Sequence, residues 1–136
     1  MAVTRIKFVT IVGARGGSVA NVDLELTVMG SSWESINGQF PGAVKETIID
    51  LPDSVSINNF NVDLFDIHVG SMSSDTSWLL LESIYIVDVS LGSPNQILLG
   101  IPNWPKNLWF CKQQQSISGG YVVTGCNLGV IAKMAN

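Results

Sequence analysis

The chain has 136 residues and a formal net charge of −4; hydrophobic residues make up 46% of it and charged residues only 13%. This composition predicts one folded domain, residues 1–136, and excludes a disordered segment, which needs low hydrophobicity and high net charge. The seven Lys and Arg residues are scattered along the chain, which argues against nucleic acid as a partner.

Strand patterns separated by turn signals fill the first half of the chain. The clearest is 21–29, where apolar and polar residues alternate with a period of two, as in a strand with one buried face. Residues 30–42 are predicted to be a loop, and a bend is expected near Asn58-Asn59 because the run that contains them is too long for one strand. The strands predicted in this half are 5–12, 21–29, 45–51 and 55–69.

The second half begins with a predicted polar loop at 70–77 and then the most apolar run of the chain, 78–89, which is expected to be a central strand. Trp104 stands between two prolines within 102–107, so that segment is predicted to be a loop. The remaining predicted strands are 96–101, 108–112, 121–124 and 128–133. About eight short strands with almost no helix favour an all-β fold, an antiparallel two-sheet β-sandwich.

The N-terminal residues lack a signal-peptide core and a small-residue cleavage site, and no segment is long and apolar enough to span a bilayer. A cytoplasmic location is therefore expected. Cys111 and Cys126 both lie in or beside apolar segments and are expected to be free buried thiols, with a single disulfide between them as the alternative.

Four sequence elements follow one another in an order typical of a known family. A Gly-rich loop at 12–22 ends in Ala-Asn-Val, and Phe40-Pro41-Gly42 leads to the Leu-Pro-Asp that closes 48–53. Trp78 then precedes the long apolar run, and 108–112 reads Leu-Trp-Phe-Cys-Lys. Over residues 5–112 this order resembles the PLAT domain, the β-sandwich attached to lipoxygenases and some lipases.

The resemblance to the PLAT domain implies a non-catalytic module that docks to a membrane surface, a lipid or a protein partner. The expected contact residues are aromatic side chains in or near loops, because an exposed loop tryptophan can insert into lipid or stack on a partner. The alternative is that these rings fold back as plugs over the open end of the sandwich. The candidates are Trp33, Phe40, Trp104 and Trp109.

Calcium is the one cofactor that the carboxylates suggest, since it binds several oxygen ligands that converge from loops. Asp53 and Asp75 stand in predicted loops and are the candidate ligands, although solvated turn carboxylates are the alternative. Calcium-binding PLAT members carry acidic residues in the first Gly-rich loop, whereas this loop has Arg15 and no carboxylate before Asp23.

Enzymatic activity is not expected. His68 is the only histidine, and the chain has no Gly-x-Ser-x-Gly turn to present a nucleophile. Two further binding functions remain open. A lectin-like domain would bind carbohydrate through Asn37, Asn103 and Asn107 beside the aromatic rings. A structural subunit would form a homo-oligomer, since a low-charge apolar surface favours self-association.

Overall fold

A computed structural model of the chain describes residues 3–12, 22–28, 31–36, 42, 44–51, 61–72, 80–92, 94–110, 115–117 and 120–135. These residues are mostly β, which confirms the predicted class, and include one 3-10 helix at Val62–Leu64 and one α-helix. The elements are β1 (Arg5–Val12), β2 (Val22–Val28), β3 (Ser31–Ile36), β4 (Val44–Asp50), β5 (Phe65–Met72), β6 (Leu81–Asp88), β7 (Ile97–Ile101), β8 (Leu108–Phe110), β9 (Gln115–Ile117), β10 (Gly120–Val123), β11 (Gly125–Asn127) and α1 (Leu128–Ala135).

Eight of these strands form two antiparallel sheets of four strands each. The first sheet has the order β4-β1-β6-β7, and the second has the order β11-β5-β2-β3. The remaining three strands form a small sheet of order β8-β10-β9, in which β8 and β10 run parallel. The small sheet continues into the second, because the chain passes from β10 to β11 at Thr124, whose carbonyl accepts a 2.8 Å hydrogen bond from Val69 N–H.

The inner faces of the two four-stranded sheets contribute to one hydrophobic core. Alternate residues of β1, β2, β5 and β6 are fully buried in it: Ile6, Phe8, Leu24, Leu26, Phe65, Ile67, Ile84 and Ile86. The period of two along each strand is what brings them to one side. Burial of each side chain contributes about 1.5–3 kcal/mol, so the core holds both sheets in place.

Several predicted elements are confirmed. β1 has the predicted bounds, and β2, β4, β6 and β7 lie at the predicted positions with ends that differ by at most three residues. The segment 102–107 is a loop, as its two prolines indicate. These are the elements with the clearest alternation or the strongest turn residues.

The prediction of a strand at 128–133 is wrong, because those residues belong to α1. The run is apolar and short, so its length and hydrophobicity do not separate the two structures. Burial follows the helical spacing: Leu128 and Ile131 enter the core, whereas Val130 and Met134 are exposed. The helix begins after Asn127, whose side-chain Oδ1 accepts a 3.1 Å hydrogen bond from Val130 N–H and so caps the first turn.

The loop predicted at 30–42 contains β3, which pairs with β2, and the segment 115–117 forms β9, which was not predicted. The strand predicted at 55–69 is wrong at Val62–Leu64, a 3-10 helix. There Asn61 accepts hydrogen bonds from the N–H groups of Asp63 and Leu64, which satisfies them locally. The strand β5 continues to Met72, into the segment predicted as a loop, and the bend expected near Asn58-Asn59 lies outside the described residues.

Candidate functional site

Trp104, the best described of the predicted contact residues, lies in the core and not on the surface. Its ring is 4% exposed, and its Nε1–H donates a 3.0 Å hydrogen bond to the carbonyl of Leu108. The ring centroid is 5.6 Å from that of Phe110, which is fully buried. The loop was predicted correctly, but the expected exposure of the ring is wrong, because Trp104 turns inward and packs in the core.

The other predicted site residues are placed only in part. Trp109 is partly buried and packs against the core. Trp33 lies on β3, where its backbone is in register with Leu26. Three of the predicted residues lie outside the described part of the chain: Phe40, Asp53 and Asp75. The assignments of Trp33, Phe40 and Trp109 as contact residues and of Asp53 and Asp75 as calcium ligands therefore stay predictions.

No cluster of three or more His, Cys, Asp or Glu side chains that could hold a metal ion occurs among the described residues. His68 instead pairs with one carboxylate: its Nε2 lies 2.7 Å from Oε2 of Glu25. The two residues are in register on β5 and β2, so the contact joins neighbouring strands on the outer face of the second sheet.

Two glycines leave room for this histidine–glutamate pair. A Cβ atom at position 125 would lie 2.7 Å from the Cβ of His68, and one at position 70 would lie 3.0 Å from Cγ of Glu25. Both distances are shorter than a normal carbon–carbon contact of about 3.5–4.0 Å. A methyl group at position 125 would therefore collide with His68, and one at position 70 would displace the side chain of Glu25.

Cys126 is a free cysteine on the inner side of β11. Burial, followed by the nearby charge of Asp66, raises the pKa of its thiol from 9.0 to about 12. Because the thiolate and not the thiol is the nucleophile, Cys126 is chemically unreactive near neutral pH. Cys126 is free, as expected, and it is partly buried against the core, whereas Cys111 lies outside the described residues.

The outer face of the first sheet is the surface that stands out. We use the name apolar face for the outward side chains Val9, Ile11, Val44, Ile48, Tyr85, Val87 and Ile97. Register brings them together, since Ile11 pairs with Val44, Val9 with Tyr85, and Val87 with Ile97. Val44, Ile48 and Ile97 are 58%, 53% and 59% exposed. Adjacent strands thus present these apolar side chains on one side of the sheet, with the Lys7–Glu46 ion pair among them.

Tyr85 lies near the middle of the apolar face, opposite a glycine. Gly100 is in register with Tyr85 on β7, and a Cβ atom there would lie 3.5 Å from Cδ1 of the tyrosine ring. A methyl group at position 100 would therefore contact the ring at an ordinary van der Waals distance.

Two ion pairs lie on the same outer side of β1 and β4. The Arg5 guanidinium lies 3.0 Å from the Asp50 carboxylate, and the Lys7 ammonium lies 3.6 Å from that of Glu46. Arg5 and Asp50 stand at one end of the apolar face, whereas Lys7 and Glu46 stand within it, because Lys7 pairs with Ile48 and Glu46 with Val9. The two pairs together carry no net charge, although the whole chain carries −4.

A hollow of about 390 Å³ lies at the border of the apolar face, lined by Thr4, Arg5, Asp50, Val89 and Leu91. Leu91 is fully exposed and stands on a turn in which Gly92 has a φ of 82°. Glycine adopts this left-handed conformation without the steric cost that a side chain brings. A protruding leucine and a hollow thus lie side by side.

Sequence reasoning missed the apolar face, although β1 carried a signal. Val9 and Ile11 stand on the side of the strand opposite Ile6 and Phe8, so both sides are apolar. A strand of an antiparallel sheet with one solvated face normally alternates between apolar and polar residues. Apolar residues on the outward side of such a strand indicate a second buried or partner-covered face.

No protein-family model matches the chain, and no curated protein or solved structure matches it. The resemblance to the PLAT domain accordingly stays a prediction. Among the described residues, no helix has the length and apolar character needed to cross a membrane.

Proposed function

We propose that this chain is a non-catalytic interaction domain, a β-sandwich whose two four-stranded sheets are its layers and whose apolar face docks a protein partner. The exposure of Val44, Ile48 and Ile97 on one face of the sheet is the observation that carries the proposal. Contiguous exposed apolar surface marks interaction sites in soluble proteins. The PLAT resemblance implies the same class of function, docking without chemistry, although through loop aromatics.

A protein partner fits the apolar face better than a lipid bilayer does. Glu46 and Asp50 lie on the same side of β4 as Val44 and Ile48, and moving them into hydrocarbon would strip water from their charges at a cost of several kcal/mol. The loop ring described in most detail, that of Trp104, is buried and so is not presented for insertion. Protein interfaces, in contrast, combine an apolar centre with a polar and charged rim.

Site-specific photo-crosslinking in cells tests this proposal. The photoreactive residue benzoylphenylalanine replaces Ile97 on the apolar face, and in a matched control it replaces Val130, which is 50% exposed on α1. Protein adducts are expected from position 97, and the substitution Ile48→Asp in the same chain should remove them because it places a charge within the face. Adducts with any protein, including another copy of the chain, support the proposal.

Two results would overturn it. The first is that position 97 gives no more protein adducts than position 130. The second is that the purified chain co-sediments with neutral phosphatidylcholine vesicles and loses this binding on Ile48→Asp, which would assign the apolar face to lipid. The vesicle experiment also checks the membrane partner that the sequence suggested.

A further inference from the structure

We infer that the protein partner contributes an extended segment, with alternating apolar and basic side chains, that pairs as an additional strand with β4, an edge strand of the first sheet. The inference rests on the proposed function, because the added strand would lie beside the apolar face and continue it. Three features of β4 support it: the direction of its backbone groups, the exposure of its outward side chains, and its unbroken register with β1.

The backbone groups on the free edge of β4 follow from its pairing with β1. Leu51 N–H donates to the carbonyl of Thr4 at 2.8 Å, and Val89 N–H donates to the carbonyl of Arg5 at 3.0 Å. Thr4 thus bonds on the β4 side and Arg5 on the β6 side, and this alternation continues along an antiparallel ladder. Residues of β4 in register with Arg5, and with every second residue after it, therefore direct their N–H and C=O groups away from β1. They are Asp50, Ile48, Glu46 and Val44.

These four residues are also the exposed ones of the strand. Val44 and Ile48 are 58% and 53% exposed, and the side chains of Glu46 and Asp50 are 58% and 77% exposed. In the described part of the chain no further strand pairs with this edge. A straight row of unpaired N–H and C=O groups is the template to which an extended peptide adds through main-chain hydrogen bonds.

The opposite edge of the first sheet is less suited to such pairing. β7 has only five residues, and its register with β6 shifts between Ile86 and Val87. A bulge of this kind interrupts the two-residue spacing of the edge groups and is one of the devices that protect an edge from further pairing. β4 pairs with β1 over its whole length without a shift of register. We therefore assign the added strand to β4.

The outward side chains of β4 define the segment that fits. Residues that exchange hydrogen bonds across an antiparallel pair place their side chains on the same side of the sheet. Apolar residues are therefore expected opposite Val44 and Ile48. Basic residues are expected opposite Glu46 and Asp50, because each of these carboxylates has its cation on the β1 side and is otherwise open to solvent.

A second copy of the chain fits this edge less well than a basic segment does. Pairing of two β4 strands would bring four carboxylates to neighbouring strands, and like charges on adjacent strands destabilise a sheet. The chain as a whole carries a net charge of −4, which attracts a basic segment and repels another copy.

A synthetic peptide tests the inference on the purified chain. Its sequence is Thr-Lys-Thr-Val-Thr-Lys-Thr-Ile-Thr, so that antiparallel pairing sets its lysines opposite Asp50 and Glu46 and its apolar residues opposite Ile48 and Val44. Amide hydrogen exchange, followed by nuclear magnetic resonance, reports the pairing at each residue. The N–H groups of Glu46 and Ile48 should exchange quickly in the free chain and at least about tenfold more slowly with about 1 mM peptide.

Two control peptides separate the backbone from the charges. N-methylation of the central valine and the second lysine removes donors that would face β4 and should abolish the slowing. Replacement of both lysines by glutamate should weaken binding by about tenfold or more, because acidic side chains then face Glu46 and Asp50.

Variants of the chain provide a matched test. Ile48→Pro removes an N–H that faces the free edge, a position at which a strand tolerates proline, whereas Ile48→Ala shortens the side chain and keeps the N–H. Ile48→Pro should bind the peptide more weakly than Ile48→Ala does. Glu46→Gln should weaken binding by several-fold, and Asp66→Asn, which removes an exposed carboxylate from β5, should not. Circular dichroism and thermal melting establish that each variant is folded.

Three results would overturn the inference: exchange at Glu46 and Ile48 that the peptide does not slow, equal binding of the N-methylated or acidic peptide, or slowing that appears without peptide as the chain is concentrated. The last would assign the edge to a second copy. In each case photo-crosslinks from position 97 would still support the proposed function. If the peptide pairs with β4 but position 97 gives no adducts above the control, the proposed function of the apolar face fails and the binding edge remains.

Discussion

The outer faces of the two four-stranded sheets differ in chemistry, although their inner faces enter the same core. The first sheet exposes valine, isoleucine and tyrosine around two neutralised charge pairs. The second sheet exposes the histidine–glutamate pair, Asp66 and Asn127, with glycines at positions 70 and 125. Its polar side chains largely contact one another, as in the 2.8 Å hydrogen bond from Asn127 Nδ2–H to Asp66 Oδ1.

This difference shows that the outward positions of a strand, which the core does not constrain, are the ones that can carry a function. The core requires apolar residues only at inward positions, so the outward positions respond to whatever lies outside the sheet. On the second sheet that environment is water, and the polar contacts tie strands to each other. On the first sheet the outward residues would gain by leaving water, which is the property of a docking surface.

The largest expected effect is on the alkylation rate of Cys126, which tests whether this residue of β11 faces the core while its neighbours face outward. The inner thiol has a pKa raised by burial from 9.0 to about 12, whereas its neighbours Gly125 and Asn127 face outward. Near pH 8 the native thiolate population is then about a thousandfold smaller than that of an unfolded thiol, and it grows about tenfold per pH unit up to about pH 12. Alkylation by iodoacetamide should be slowed by a similar factor.

Mass spectrometry of a Cys111→Ser chain, which leaves Cys126 as the single thiol, measures that rate with and without denaturant. Native and unfolded rates within tenfold of each other would show that Cys126 faces solvent, contrary to the alternation described for β11.

The second prediction compares one glycine from each sheet. Gly125→Ala places a Cβ 2.7 Å from His68 Cβ and 2.8 Å from the carbonyl oxygen of Ile67, so strand β11 must move away from β5. We expect a loss of about 1–3 kcal/mol in the free energy of unfolding. Gly100→Ala on the first sheet is the control, because its Cβ meets the Tyr85 ring at an ordinary 3.5 Å.

Urea denaturation measures both variants, and Gly100→Ala should change the free energy of unfolding by less than about 0.5 kcal/mol. If Gly125→Ala and Gly100→Ala lowered the free energy of unfolding equally, the close approach of β11 to β5 at Gly125 could not be the cause of the loss, and the prediction would be wrong.

Part of this architecture could be predicted from the sequence. Alternation placed β1 and β2 because a half-buried strand has a clear period of two, and prolines placed the loop around Trp104. The direction of the Trp104 ring could not be predicted, since loop composition says nothing about whether a side chain turns inward. Residues 128–133 are apolar at positions that satisfy both a strand and a helix, so the long-range packing of Leu128 and Ile131 decided between them.

The apolar face could not be predicted from the sequence because it depends on how neighbouring strands pair. On β4, Val44 and Ile48 share one side with Glu46 and Asp50, whereas Ile49 shares the other with Lys45 and Thr47, so the sequence does not indicate which side is buried. In the structure Ile49 is buried and Ile48 is 53% exposed. Only the register of β4 against β1 reveals which side faces the core.

The third prediction concerns the polar network beside the second sheet. Asn127 caps α1 through Val130 N–H and donates to the carbonyl of Asp63 and the carboxylate of Asp66, both at 2.8 Å. Asn127→Ala removes the cap and both donors, and about 1–2 kcal/mol of stability should be lost. Asn103→Ala, at an exposed loop position, is the control and should be nearly neutral.

Thermal and urea unfolding of these two variants provide the measurement. An Asn127→Ala protein as stable as the wild type would show that the hydrogen bonds of Asn127 do not stabilise the fold. The polar side chains on the outer face of the second sheet would then have some other role.

The smallest expected effect comes from the first sheet. The hydroxyl of Thr10 is buried and has no hydrogen-bond partner within the described part of the chain, whereas the hydroxyl of Ser83 donates to the carbonyl of Pro102 at 2.9 Å. Thr10→Val should stabilise the fold by about 1 kcal/mol, because an unsatisfied buried group is removed. Ser83→Ala should destabilise it by a similar amount, and calorimetry that gave the same sign for both would contradict this reading of the core.

The outer face of the first sheet, and not that of the second, is proposed to dock a protein partner, and photo-crosslinking in cells compares the two faces. Benzoylphenylalanine replaces Ile97 on the apolar face or, in a second variant, Asp66 on the outer face of the second sheet, and both positions are exposed. Protein adducts are expected from position 97 well above those from position 66. Equal yields from the two positions, or adducts from position 66 alone, would show that the apolar face is not the docking surface.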